Sequence, residues 1–78
     1  MTTLDTLPVG QCANITEIQG DDAIAIRLME MGLTEGEEIR VLAVAPLGDP
    51  VEYEIRGYRL SLRRTEARRV LIQLPSPA

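Results

Sequence analysis

Few side chains in this 78-residue sequence are of types that do chemistry. There is no histidine, and Cys12 is the single cysteine. One thiol cannot form an internal disulfide or complete a Cys/His zinc set, and histidine is the commonest general base in enzymes. The composition therefore excludes histidine-based catalytic triads and favours a small packing residue at Cys12 over a ligand or redox role.

Carboxylates are the remaining candidate metal ligands. They cluster at Asp21-Asp22 and at Glu35, Glu37 and Glu38. The first pair precedes a helical pattern, so capping of a helix explains it more simply than cation binding. The glutamates are expected to form a solvated turn. We therefore predict no catalytic residue, no metal site and no cofactor.

Charge is unevenly distributed along the chain, which has a net charge of −4. Residues 1–54 carry eleven carboxylates and two arginines, whereas residues 55–78 carry six arginines and Glu66. The second part predicts either an ordinary charged surface or a basic face that orients an acidic partner. The candidates for such a face are Arg59, Arg63, Arg64 and Arg68.

The pattern of apolar residues predicts a mainly β domain with one helix. Alternation predicts strands over 11–18, 38–45 and 70–74. Ala13 and Ile15 are expected to face inward in the first of these strands. In the second, the alternating apolar residues that face inward end at Ala43. The prolines and glycine of 45–50 predict a loop, and residues 64–68 predict a single helical turn. The C-terminal residues 75–78 are expected to fray.

The helix is predicted to begin after Gly20. Asp21 or Asp22 is a suitable N-cap, since a short acidic side chain accepts a free N–H and suits the helix dipole. Gly32 falls where a left-handed C-terminal cap is expected, and Leu33 supplies the apolar contact that often follows such a cap.

Residues 51–63 predict a hairpin whose register is specified by the sequence. A two-residue turn at Arg56-Gly57 would place apolar pairs on one face and an opposite-charge pair on the other. The expected pairs are Ile55–Tyr58, Tyr53–Leu60, Val51–Leu62 and Glu54–Arg59. A slip of one residue would break both patterns.

These elements predict a single domain, residues 1–78 with a core of about 4–74. Five short strands with one apolar face avoid exposed edges best by curling into a small barrel. The expected architecture is an SH3-like five-stranded barrel with a helix inserted after the first strand and a helical turn before the last.

Five phrases occur along the chain in a characteristic order. They are Leu7-Pro8-x-Gly10, Arg27-Leu28-Met29-Glu30-Met31-Gly32-Leu33-Thr34-x-Gly36, Ala45-Pro46-Leu47-Gly48-Asp49-Pro50, Gly57-Tyr58-x-Leu60-x-Leu62-Arg63 and Glu66-Ala67. In this order and spacing the chain resembles the FeoA family, small cytosolic proteins of bacterial ferrous iron uptake. The resemblance covers about residues 4–74.

The resemblance implies an SH3-like barrel and a working partner, FeoB, a membrane ferrous iron transporter with a cytosolic GTP-binding part. It implies an accessory protein and not an enzyme. The sequence shows no secretory signal and no apolar run of membrane-spanning length, so we expect a cytoplasmic protein, at the inner membrane only through its partner. The effect on GTP hydrolysis and the oligomeric state stay open.

The predicted helix carries more apolar residues than one buried face can hold. If Ile24, Ala25 and Leu28 face the barrel, the other apolar residues of the helix cannot all do so. These are Ile26, Met29 and Met31. Either the helix lies in a groove that covers both sides, or adaptable methionines remain at the surface for a partner.

Two further residues have two interpretations each. Leu47, at the tip of the 45–50 loop, either folds back over the barrel or contacts a partner. Arg27 either pairs with a nearby carboxylate or contacts a partner. The candidate partner-binding residues are therefore Arg27, Met29, Met31 and Leu47.

An alternative from another functional class is a small barrel that binds nucleic acid through its arginine-rich C-terminal half. Two observations count against it: the acidic pI of about 4.6, and an aromatic content limited to two tyrosines. A role as a metal carrier is not supported, because the sequence offers no set of metal ligands.

Overall fold

The protein, described here by a computed structural model over residues 2–75, is built on one antiparallel sheet. The strands are β1 (Thr2–Thr3), β2 (Cys12–Ile18), β3 (Glu38–Val44), β4 (Val51–Ile55), β5 (Tyr58–Leu62) and β6 (Val70–Gln73). The helices are a 3-10 turn (Leu4–Thr6), α1 (Ala23–Glu30) and α2 (Arg64–Ala67). The strand order is β1-β6-β2-β3-β4-β5.

The five predicted strands are confirmed, but the sheet has a sixth strand that the sequence did not indicate. In β1, Thr2 pairs with Ile72 and Thr3 with Leu71. Two residues are too few to show alternation, so this strand is visible only through its pairing. At the other end, Leu74 was predicted within the last strand but lies beyond β6 and is 50% exposed. Of the expected frayed tail, 76–78 lie outside the described residues.

Two bulges bend the sheet around its core. The register shifts between Ile15 and Glu17 where β2 pairs with β6, and between Val41 and Ala43 where β3 pairs with β4. A bulge increases local twist and re-aims the side chains that follow it. Ala43, which we expected to face inward, is for this reason exposed.

The β4–β5 hairpin has the predicted register at all four pairs. Arg56 and Gly57 occupy the turn with φ values of +55° and +85°. Two successive positive φ values are those of a type I′ turn, whose twist matches that of the flanking strands.

Helix α1 is capped at both ends as expected. The Asp22 carboxylate accepts the N–H of Ala25 over 3.2 Å. At the other end Gly32 has a φ of +102°, and the N–H of Leu33 bonds the carbonyl of Leu28 over 3.2 Å. Leu33 is fully buried, which is the apolar contact of this cap.

The inward face of α1 is narrower than predicted. Ala25 and Leu28 are fully buried, whereas Ile24 is 39% exposed. The expectation that Ile24 faces the barrel is therefore wrong. A helix of eight residues resting on a curved sheet buries one narrow stripe, and Ile24 lies on the flank of that stripe.

The core is apolar throughout the described range, and Tyr53 is its largest fully buried side chain. Burial raises the pKa of the Tyr53 hydroxyl to about 12. The group therefore stays neutral at physiological pH. Within residues 2–75, neither helix has the length and apolarity needed to cross a bilayer.

Candidate functional site

An open groove of about 500 Å³ lies at one end of the barrel. One wall is the C-terminal half of α1, and the other is the end of β5 with α2. Its lining includes Arg27, Met31, Pro50, Ser61, Arg63 and Glu66. The fold thus brings together two segments that lie more than 30 residues apart in sequence.

An ion pair joins the two walls of this groove. Arg27 of α1 donates from Nη2 to Oε2 of Glu66 in α2. The other oxygen of Glu66 accepts the backbone N–H of Arg63 over 2.9 Å, which caps α2. The structural interpretation of Arg27 is therefore confirmed. The side chain remains 59% exposed, so a partner can still reach it.

Arg64 holds the 45–50 loop, whose Asp49 and Pro50 line the groove. Its Nε donates to the carbonyl of Gly48 over 2.6 Å, and Nη1 donates to the carbonyl of Asp5 over 3.2 Å. Its backbone N–H bonds Oδ1 of Asp49 over 2.9 Å. The side chain predicted for a basic docking face is thus half-buried and engaged inside the protein.

Leu47 stands at the tip of this loop and is 97% exposed. The alternative in which it folds back over the barrel is therefore wrong. A leucine side chain with nearly all of its surface in water contributes no burial of apolar surface to the stability of the fold. Its position leaves it available to a partner.

The two candidate methionines lie in different surroundings, Met29 in the last turn of α1 and Met31 at its C-cap. Met31 is half-buried, packs against the core and lines the groove. Met29 is 42% exposed and lies three residues from Ile26, which is 52% exposed. Residues three apart are neighbours on a helix surface, so Ile26 and Met29 form an apolar patch separate from the groove. The predicted set is therefore split between the groove, the loop tip and this patch.

The four arginines of the predicted basic face differ in their surroundings. Arg63 lines the groove, and Arg59 is exposed on β5. Among residues 2–75, neither has a carboxylate oxygen within 4 Å. Arg68, by contrast, has its Nε 3.6 Å from Oδ2 of Asp5. The available positive charge is thus smaller than the sequence suggested and is concentrated along β5.

The carboxylates considered as metal ligands are dispersed. In the described part of the chain, no three Asp, Glu or Cys side chains are grouped so that they could hold a metal ion. Asp22 accepts a hydrogen bond from Arg69 Nη1 over 2.5 Å, and this bond together with the helix-capping N–H of Ala25 lowers the Asp22 pKa. Cys12 is half-buried.

The curled sheet, the helix after β2 and the helical turn before the last strand define a small SH3-like domain. The model of the FeoA domain family matches residues 2–74. The chain belongs to this family, as its motifs indicated.

Named relatives agree with this assignment. The chain is 40% identical over 73 residues to the Fe(2+) transport protein A/Fe(2+) transporter FeoB fusion protein of Porphyromonas gingivalis. The match covers 94% of this chain but 9% of the fusion protein, so the chain spans a small part of that relative's length.

Two solved structures are similar over almost the whole chain. FeoA of Stenotrophomonas maltophilia, described as an SH3-domain protein complexed with zinc, has a TM-score of 0.85 and 38% identity, covering 94% of this chain and 91% of that one. FeoA of Chlorobium tepidum has a TM-score of 0.87 and 36% identity, covering 96% and 71%. The first supports the SH3-like architecture, and the second supports the assignment to the FeoA family.

Proposed function

We propose that this protein is an accessory factor of ferrous iron uptake that binds the cytosolic GTP-binding part of an FeoB-type transporter. The observation that carries the proposal is the fusion protein, in which a homologous domain is joined to FeoB. A covalent linker keeps two domains at a high effective concentration. The proposal requires this domain to present a surface that the transporter recognises.

Surface features of the domain support a role through contact. Leu47 is an exposed apolar anchor, and Ile26 with Met29 forms a second apolar patch. Arg27 lies between α1 and α2 with most of its side chain in solvent. Apolar anchors beside oriented charges are typical of protein interfaces.

In this proposal the protein acts in the cytoplasm, and it reaches the inner membrane through the transporter. It regulates the transporter and catalyses no reaction itself.

Nucleic-acid binding has less support from the structure than from the sequence. Of the six arginines in the C-terminal half, Arg64 and Arg68 contact Asp5 within the protein. Arg56 lies within ion-pair distance of Glu37, and Arg69 pairs with Asp22. Phosphate binding depends on several free cationic side chains along one surface. The structure leaves Arg59 and Arg63 for this purpose.

The test is direct binding between the purified protein and the cytosolic part of the FeoB-type transporter of the same genome. Titration calorimetry should show saturable binding, with and without a non-hydrolysable GTP analogue. An unrelated GTPase of similar net charge serves as the control. Absence of saturation at about 0.1 mM protein, equivalent to a Kd weaker than ~0.1 mM, would overturn the proposal.

A further inference from the structure

Within residues 2–75, strand β5 forms one edge of the sheet and has no neighbouring strand on its outer side. It pairs only with β4 in the strand order. In a hairpin closed by a two-residue turn, the pair next to the turn is hydrogen-bonded, and such pairs recur at every second residue. Tyr58, Leu60 and Leu62 therefore bond to β4, and the main chains of Arg59 and Ser61 point outward.

The outward groups of Arg59 and Ser61 have no main-chain partner. Among residues 2–75, the hydrogen bonds outside the helices and ladders do not include the backbone of either residue. The next outward N–H, that of Arg63, is already bonded to Glu66. The open part of the edge is therefore short and offers two N–H and two C=O groups in the arrangement of a strand.

The groove meets this edge at the C-terminal end of β5. Ser61 and Leu62 lie on opposite faces of β5, yet both line the groove. The groove therefore reaches the strand at Ser61, while Arg59 lies on the same edge beyond its lining. Met31 forms part of the opposite wall, so apolar surface is available to a side chain of an incoming segment.

Charge selects the kind of segment that fits. Arg59 and Arg63 flank Ser61 at two residues on either side, and neither forms an ion pair within 4 Å in the described part of the chain. Glu54 lies opposite Arg59 in the hairpin without forming one. The two carboxylates that line the groove are engaged within the protein, since Asp49 accepts the N–H of Arg64 and Glu66 pairs with Arg27. The two unpaired cations along the open strand edge therefore complement an extended segment that carries carboxylates.

We propose that an extended, acidic segment of a partner protein adds a strand to the edge of β5 and continues into this groove. The main chain of the segment bonds Arg59 and Ser61, its carboxylates face Arg59 and Arg63, and an apolar side chain contacts Met31. This is β-augmentation, a common mode of peptide recognition. The inference rests on the proposed function, since the cytosolic part of the transporter would supply the segment.

Proline at position 61 tests the main-chain contacts. Ser61→Pro removes an N–H that points away from β4 and leaves the β4–β5 ladder complete, which edge strands tolerate. Its ring also occupies the path of an added strand. Ser61→Ala is the matched control, because it alters the side chain and retains the N–H. Titration of the transporter's cytosolic part should show binding weakened about tenfold or more by Ser61→Pro and unchanged by Ser61→Ala.

Amide exchange by NMR provides a measurement that needs no variant. The Arg59 and Ser61 amides should exchange rapidly in the free protein and become protected in the complex. If wild-type protein binds but these amides stay unprotected, or if folded Ser61→Pro binds like wild type, strand addition is wrong and the proposed function stands. If wild-type protein does not bind at all, both proposals fail.

Two other occupants are outcomes of the same experiments. Protection mapping on the transporter should locate an extended segment that contains aspartate or glutamate. A proline-rich segment would overturn the inference, since it lacks the N–H groups that pair with a strand edge. A concentration-dependent dimer in light scattering that Ser61→Pro abolishes would instead assign the edge to a second copy of this chain.

Discussion

Nε of Arg64 donates to the carbonyl oxygen of Gly48 over 2.6 Å, which fastens the loop carrying Leu47 to helix α2. The same guanidinium bonds the carbonyl of Asp5, so one side chain joins the N-terminal 3-10 turn, the loop and α2. The exposed Leu47 is therefore presented from a tethered loop, and the arginine that holds the loop is itself half-buried.

Replacement of Arg64 should loosen this loop. Hydrogen bonds to a charged group contribute about 1.5–3 kcal/mol each, so Arg64→Ala should lower the free energy of unfolding by about 2 kcal/mol or more. Arg64→Lys is the control that separates charge from geometry. The lysine ammonium keeps the positive charge but cannot reproduce the planar hydrogen-bonding geometry of the guanidinium. Urea denaturation measures the stability. An Arg64→Ala protein as stable as wild type would contradict the tether.

The hairpin turn should be sensitive to the residue at position 57. Gly57 has a φ of +85°, and among residues 2–75, apart from Gly57 and its two chain neighbours, no heavy atom lies within 4 Å of the position where a Cβ would be. The cost of Gly57→Val is thus conformational and should be about 1–3 kcal/mol. Gly57→Asn should cost less, since asparagine tolerates positive φ. An unchanged melting temperature in Gly57→Val would contradict this turn.

Gly32 is restricted by a neighbour as well as by its backbone. Its φ is +102°, and a Cβ there would overlap the hydroxyl of Tyr58. That hydroxyl donates to the carbonyl of Met31 and joins β5 to the end of α1. Gly32→Ala should therefore destabilise the protein, and by less in a Tyr58→Phe background. A double-mutant cycle from melting curves measures this coupling, and strict additivity would disprove the contact.

The Asp22–Arg69 pair should make stability depend on pH in the acid range. Hydrogen bonds from Arg69 and Ala25 lower the Asp22 pKa in the folded protein below its ordinary value of 3.8. The stabilisation from this pair is complete above pH 3.8 and is lost as the pH falls through the lowered Asp22 pKa of the folded protein. The reason is that the unfolded chain, whose Asp22 has the higher pKa, takes up the proton first. Asp22→Asn retains the cap and cannot titrate. The difference in unfolding free energy between wild type and Asp22→Asn should shrink from about pH 5 to about pH 3. A difference that stays constant over this range would refute the lowered Asp22 pKa.

Carboxylates placed on the exposed apolar residues should abolish partner binding without unfolding the protein. Leu47 and Met29 are 97% and 42% exposed, so Leu47→Glu and Met29→Glu should have circular dichroism spectra like wild type. An unpaired carboxylate buried in the interface costs several kcal/mol, which is about two to three orders of magnitude in Kd. Leu47→Gln and Met29→Gln are matched uncharged controls. Wild-type binding by both glutamate variants would exclude the loop and the helix patch as contacts.

The elements that the sequence determined depend on residues close together along the chain. The hairpin register follows from alternation on both sides of Arg56-Gly57, and the ends of α1 follow from Asp22 and Gly32. Turn geometry, capping and strand alternation involve hydrogen bonds and side-chain periods that span a few residues. The sequence specifies them before any tertiary contact forms.

Features decided by the tertiary structure depend on residues distant in sequence. Strand β1 exists because it pairs with Leu71 and Ile72, and Arg64 is internal because it reaches a carbonyl 59 residues away. Neither contact leaves a periodic signal in the sequence. The groove likewise needs α1 and α2 to meet through Arg27 and Glu66, 39 residues apart. The residue types defined the candidates for partner binding, but only the packing of the sheet determined which of them share a surface.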